Sequence, residues 1–188
     1  MTPVDPLRLA VWLSRILDRV GIKYLVGGSV ASSLMGEPRS TLDLDVMIER
    51  DVTKVRALVQ LLAAECYVDE ETAIDAVNEL RSFNAIHLVT SMKIDFFVPE
   101  SLFAEKQLSR RRAVKLPTGE VLYFYKPEDL IVRKLLWYRL GGEVSERQWR
   151  DVTGVLRSSR QEIDSENLAA EAESAGVDDL LRRALREL

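Results

Sequence analysis

From residue 42 to residue 48 the chain reads Leu-Asp-Leu-Asp-Val-Met-Ile, a strict alternation that an extended strand resolves into two faces. Leu42, Leu44, Val46 and Ile48 point one way, and Asp43, Asp45 and Met47 the other. The first face needs apolar cover. The second carries two carboxylates at i and i+2, close enough to bind one hard cation and to repel each other without it. An isolated Asp-x-Asp is more commonly a pair of solvated acids on a half-exposed strand, so the surroundings of this strand decide what it does.

Upstream, Lys23 to Val26 reads as a short buried strand running into Gly27, Gly28 and Ser29, with a short helix from Val30 to Met35. Glycines at a strand-to-helix turn let backbone N–H groups approach phosphate oxygens, the helix N-terminus favours negative charge, and Ser29 adds a hydroxyl donor. Alone, such a turn usually just reverses the chain. Downstream, Phe83 to Val98 reads as two strands joined near Thr90 and Ser91. Ile94, Phe96 and Val98 lie on one face of the second, and Lys93, Asp95 and Phe97 on the other. Together the glycine turn, the acidic strand and a third strand carboxylate point to one site for a divalent cation and phosphate groups, a conjunction far more specific than its parts.

A single cysteine, Cys66, excludes an intrachain disulfide, and with a single histidine, His87, it makes a Cys/His zinc site implausible. Any metal must therefore be held by oxygen. His87, between Ile86 and Leu88, fits a half-buried strand residue better than a general base. The net charge of −4 does not suggest a general polyanion binder. The one dense basic run, Arg110 to Arg112 with Lys115, reads as a charged edge strand or as a footprint for RNA. No apolar run is long enough to span a bilayer and no signal-peptide pattern opens the chain, so a cytoplasmic protein without a membrane partner is expected.

The remaining elements follow from caps and periodicity. Asp5 and Pro6 start an amphipathic helix that Gly21 ends, and Asp51 caps another with Val55, Leu58, Val59 and Leu62 on one stripe. A polar helix covers about 70 to 80, and Pro117, Thr118 and Gly119 break a hairpin between Ala113 and Tyr125. From Pro127 the chain turns helical: one helix to Arg139, a second capped by Ser145 with Gln148, and two short ones over 165–175 and 178–187. The order predicts an α/β (α+β) body over 1–125 and a helical C-terminal subdomain packed on it over 126–188.

On Gly27-Gly28-Ser29, Arg39-Ser40-Thr41, Asp43-Leu44-Asp45 with Val46-Met47-Ile48, and Lys93-Ile94-Asp95-Phe96-Phe97, the chain resembles the nucleotidyltransferase superfamily related to DNA polymerase β. Residues 126–136 and 147–152 resemble a small prokaryotic branch near the AbiEii-type toxins. The resemblance implies a short mixed sheet flanked by helices with a C-terminal helical tail. It implies that Asp43 and Asp45 bind Mg²⁺ bridging a nucleoside triphosphate such as ATP. Asp95 then helps bind the catalytic metal and deprotonates the acceptor hydroxyl, while Gly27, Gly28 and Ser29 hold the distal phosphates. Two ions are implied, with Mn²⁺ able to substitute. Arg39 and Lys134 are candidates for uncompensated phosphate charge, against a surface salt bridge for Arg39 and a snorkelling helix residue for Lys134. Asp151 resembles a recurring position of that branch, against a solvated aspartate on a polar helix face. Trp137, Tyr138 and Trp149 fit helix packing or base stacking.

The leading expectation is a Mg²⁺-dependent nucleotidyltransferase acting on a hydroxyl of a small molecule, protein or RNA and releasing pyrophosphate. A homo-oligomer or a partner protein is compatible with so short a chain. The alternatives are a non-catalytic interaction module, such as a toxin–antitoxin component, and a plain Mg²⁺ or Ca²⁺ site on an unrelated α/β fold.

Overall fold

The structure, a computed structural model, describes residues 5–37 and 40–188. In chain order the elements are α1 (Pro6–Val20), β1 (Tyr24–Val26), α2 (Gly28–Met35), β2 (Asp43–Ile48), α3 (Val52–Leu62), β3 (Cys66–Tyr67), α4 (Glu70–Asn78), β4 (Ser82–His87) and β5 (Lys93–Phe97). Then come α5 (Leu102–Ser109), β6 (Arg112–Lys115), β7 (Val121–Phe124), α6 (Pro127–Leu140), α7 (Glu146–Ser158), α8 (Ser165–Ser174) and α9 (Asp178–Arg186). The strands form one mixed sheet of seven, ordered β3-β4-β5-β2-β1-β7-β6. Its centre is β2, parallel to β5 on one side and antiparallel to β1 on the other.

Local chemistry explains most boundaries. Asp5 accepts from the Leu7 N–H at 2.9 Å with Pro6 opening α1, and Gly21 ends that helix at φ +71. Asp51, Asp69 and Ser101 accept N–H bonds at the starts of α3, α4 and α5, and Ser145 does so for α7. Two elements were not expected from the sequence. β3 is too short to show alternation and exists through its pairing with β4, while α5 breaks the apolar period by exposing Leu102 and burying Gln107.

The alternation of β2 is modified at both ends. Leu42 lies outside the strand and is 70% exposed, and Met47, expected beside the aspartates, is 2% exposed. The acidic face is therefore open only at the Asp43 end. Leu44, Val46 and Ile48 are buried on the other side, where α1 packs on α3 and β2, α3 on α4, and α4 on β4. The basic run ends in β6 at an edge of the sheet, as a charged edge strand should.

Contacts divide the chain into two units, residues 5–30 with 40–124 and residues 31–37 with 125–188. The second consists of the end of α2 and helices α6 to α9, where α6 packs on α7 and α8, and α9 on α7 and α8. Gly36 lies so close to α7 that an added Cβ would stand 3.1 Å from the Gly154 carbonyl carbon. Glu128 is buried and accepts the Asp164 N–H at 2.8 Å. Among the described residues no helix is long and apolar enough to cross a membrane.

Candidate functional site

Strand pairing gathers the three aspartates. In the parallel β2–β5 register Asp45 is the partner of Asp95 and Asp43 the partner of Lys93, on strands about 4.8 Å apart. On the far side of β5, β4 places Asn84 opposite Asp95 and Ile86 opposite Lys93. One face of the sheet thus carries a row Asp43, Lys93, Ile86 and a second row Asp45, Asp95, Asn84. On the near side of β2 the Gly27 N–H donates to the Asp45 carbonyl at 2.9 Å, so the glycine turn leaves the sheet beside Asp45. Asp43 is exposed, and Asp45 and Asp95 are half-buried.

Gly28 is tied to Asp45 more tightly than the sequence implied. α2 begins at Gly28 itself, two residues before the expected start, and Gly28 adopts φ +54. A Cβ there would stand 1.7 Å from Oδ2 of Asp45 and 2.5 Å from its Cγ. The position needs glycine twice over, for its left-handed backbone and for the carboxylate lying against its Cα. Ser29, next in the helix, is buried.

Lys93 is the residue to which sequence reasoning gave no role. Its Nζ lies 2.7 Å from Oδ1 of Asp95. The hydrogen bond to Asp95 raises the pKa of this ammonium against the opposing effect of burial, and the charges of Asp95, Asp43 and Asp45 raise it further. All three carboxylates therefore act on one cation. The available signal was the alternation of β5, which puts Lys93 and Asp95 on the same face two residues apart.

Among the described residues no three or more His, Cys, Asp or Glu side chains are drawn together around an ion-sized point. The donors that face one another are nonetheless of the right kind: hard carboxylate oxygens on adjacent strands, with the Asp45 carboxylate seated where a Cβ at Gly28 would stand. The ammonium on Asp95 belongs to a half-exposed side chain that can move away. By donor chemistry these are oxygens of the kind Mg²⁺ takes.

Of the other sequence candidates, Arg39 lies outside the described residues. Lys134 on α6 forms a buried ion pair with Asp151 on α7, Nζ to Oδ2 2.6 Å, so two residues considered separately prove to be partners. His87 ends β4, its Nδ1 2.8 Å from the Thr90 hydroxyl and its ring 4.8 Å from that of Trp12, which makes it a brace for the turn into β5. Trp149 packs at a tilt on Tyr138 with the Arg183 guanidinium over its face at 4.3 Å, and Trp137 is exposed.

No protein-family model matches the chain, and no curated protein matches it. Solved structures do. An antigenic nucleotidyltransferase-like protein from Paracoccidioides brasiliensis superposes with a TM-score of 0.58 at 19% identity, covering 95% of this chain and 91% of its own. The antibiotic-resistance factor ANT(2'')-Ia superposes with a TM-score of 0.52 at 13% identity, over 98% of this chain and 97% of its own. The narrower placement near AbiEii-type toxins rests on the motif resemblance alone. At these identities the likeness concerns architecture, and the architecture is the one the motifs implied: this chain has the nucleotidyltransferase fold.

Proposed function

We propose that the protein is a Mg²⁺-dependent nucleotidyltransferase that moves a nucleoside monophosphate from a nucleoside triphosphate to an acceptor hydroxyl. The observation that carries this reading is the placement of Asp45, in register with Asp95 and with Gly28 against its carboxylate. Asp43, Asp45 and Asp95 would hold the metal. When bound it neutralises charge on the attacking and leaving oxygens. The Gly28 amide and the Ser29 hydroxyl orient the distal phosphates, while Gly27, bonded to the Asp45 carbonyl, fixes where the turn leaves the sheet. Asp95 takes the acceptor proton as the new oxygen–phosphorus bond forms and the bond to pyrophosphate breaks. Arg39 is proposed for residual phosphate charge on the motif resemblance, whereas Lys134 is held by Asp151, and the acceptor is a small molecule, a protein or RNA in the cytoplasm.

The test is Mg²⁺-dependent triphosphate binding by calorimetry, together with transfer of label from each triphosphate to cell RNA, protein or metabolites. Both should vanish in Asp43→Ala/Asp45→Ala. A wild-type protein that ignores Mg²⁺–nucleotides refutes the reading. A non-catalytic interaction module is the competing reading, one in which the Lys93–Asp95 pair is a permanent structural contact. It predicts tight partner copurification that the same double substitution leaves intact.

A further inference from the structure

We infer that Lys93 is a displaceable counter-cation that makes the acidic site take up a divalent metal together with a triphosphate in preference to the free metal. The inference rests on the nucleotidyltransferase reading and adds a residue and an order of loading to it.

Lys93 stands at the place where added positive charge matters most. It is the register partner of Asp43, it bonds Asp95 at 2.7 Å, and Asp95 is the partner of Asp45. The usual reason for a lysine on a strand, protection of an exposed edge, does not apply, because β5 is interior between β4 and β2. The strand itself is anchored: Ile94 and Phe96, on its other face, are fully buried. Only the long lysine stem is left to move. Its side chain is 47% exposed and that of Asp95 19%, so the acid is fixed while the ammonium can swing into solvent.

An ion pair this exposed is weak, which is what a displaceable partner requires. A free divalent ion arriving at Asp95 must break the pair and is then repelled by the ammonium it has displaced. A metal carried by a triphosphate brings net negative charge with it. The released ammonium then finds phosphate oxygens in place of Asp95 Oδ1, and the repulsion becomes an attraction. One side chain thus disfavours the empty metal site and favours the metal–nucleotide complex.

Calorimetric titration with Mn²⁺ alone, and then with a triphosphate at saturating Mn²⁺, tests this on wild type, Lys93→Met and Lys93→Arg. A unit charge some 7 Å from a divalent ion in water is roughly a tenfold effect on affinity. Lys93→Met should therefore bind free Mn²⁺ about tenfold tighter than wild type and the triphosphate about tenfold more weakly. Lys93→Arg, which keeps the charge, should stay near wild type in both. Thermal unfolding without metal should show Lys93→Met destabilised and rescued by Mn²⁺ more than wild type is. Equal free-Mn²⁺ affinity in wild type and Lys93→Met, or weaker binding of both ligands in Lys93→Met, overturns the inference while wild-type metal–nucleotide binding leaves the enzyme reading standing. Wild type that binds no triphosphate with Mn²⁺ overturns both.

Discussion

Gly28→Ala is the substitution whose outcome the structure fixes most closely, because Gly21 supplies a matched control. Both glycines have left-handed backbones, φ +54 and +71, but an added Cβ at Gly21 meets nothing within 4 Å whereas at Gly28 it falls 1.7 Å from Asp45 Oδ2. Alanine in that conformation costs roughly 1–2 kcal/mol. The lower chain entropy of unfolded alanine offsets about 0.4–1 kcal/mol of this. Gly21→Ala should therefore lose about 1 kcal/mol in urea denaturation and leave Mg²⁺–triphosphate binding untouched. Gly28→Ala carries the same backbone strain and adds a collision. The Asp45 oxygen must retreat by about 2 Å to reach ordinary contact distance. Displacement of a positioned group by about 1 Å can lower catalysis roughly a hundredfold, and a loss of that order is expected in the transfer rate, with metal–nucleotide affinity falling too. Calorimetry and denaturation of the two variants side by side separate strain from collision. If Gly28→Ala binds and turns over nucleotide as Gly21→Ala does, the glycine does not serve the carboxylate, and the assignment of Asp45 to the site fails.

Removing one partner of the buried Lys134–Asp151 pair strands a charge, so Lys134→Met or Asp151→Leu should each lose about 3–5 kcal/mol by urea denaturation. The double variant should recover most of that loss. Burial pushes the Cys66 thiol from 9.0 up to about 11, and burial with the nearby Asp18 charge pushes the Tyr24 hydroxyl to about 12. Both groups keep their protons longer in the folded chain than in the unfolded one. Stability is therefore intact below about pH 9 and falls as the pH rises toward 11, by about 2 kcal/mol from the thiol. Denaturation midpoints across that range check it, and Cys66→Ala should flatten the first part of the fall. At neutral pH the same thiol should resist iodoacetamide until the protein is unfolded.

What could be read from the sequence was whatever is written locally. Asp5, Asp51 and Ser145 announce helix starts because a cap is a contact within three residues, and β2 shows its acidic face because alternation needs no partner strand. The glycine turn and Asp95 were legible for the same reason. Register was not. Nothing in either strand alone says that Asp45 lies beside Asp95, or that Lys93 faces Asp43, since the pairing joins segments separated by two helices and two strands. Met47 illustrates the same limit: its parity places it with the aspartates, and only the packing around β2 reveals that the face closes there. Lys134 and Asp151 are each plausible as a solvated helix residue until two helices bring them together.

The content of β5 bears on how the sheet can close at all. Its pairing with β2 is non-local and parallel, the kind of contact a chain makes late, after the intervening segment has been gathered in. Were that strand to deliver only a carboxylate, its docking would press a third negative charge onto the two of β2. β5 brings Lys93 with Asp95, so the incoming strand is electrically neutral where it meets the acids. A nascent chain can therefore complete the sheet before any metal is present, and the lysine that restrains the finished site is the same one that lets the site be built.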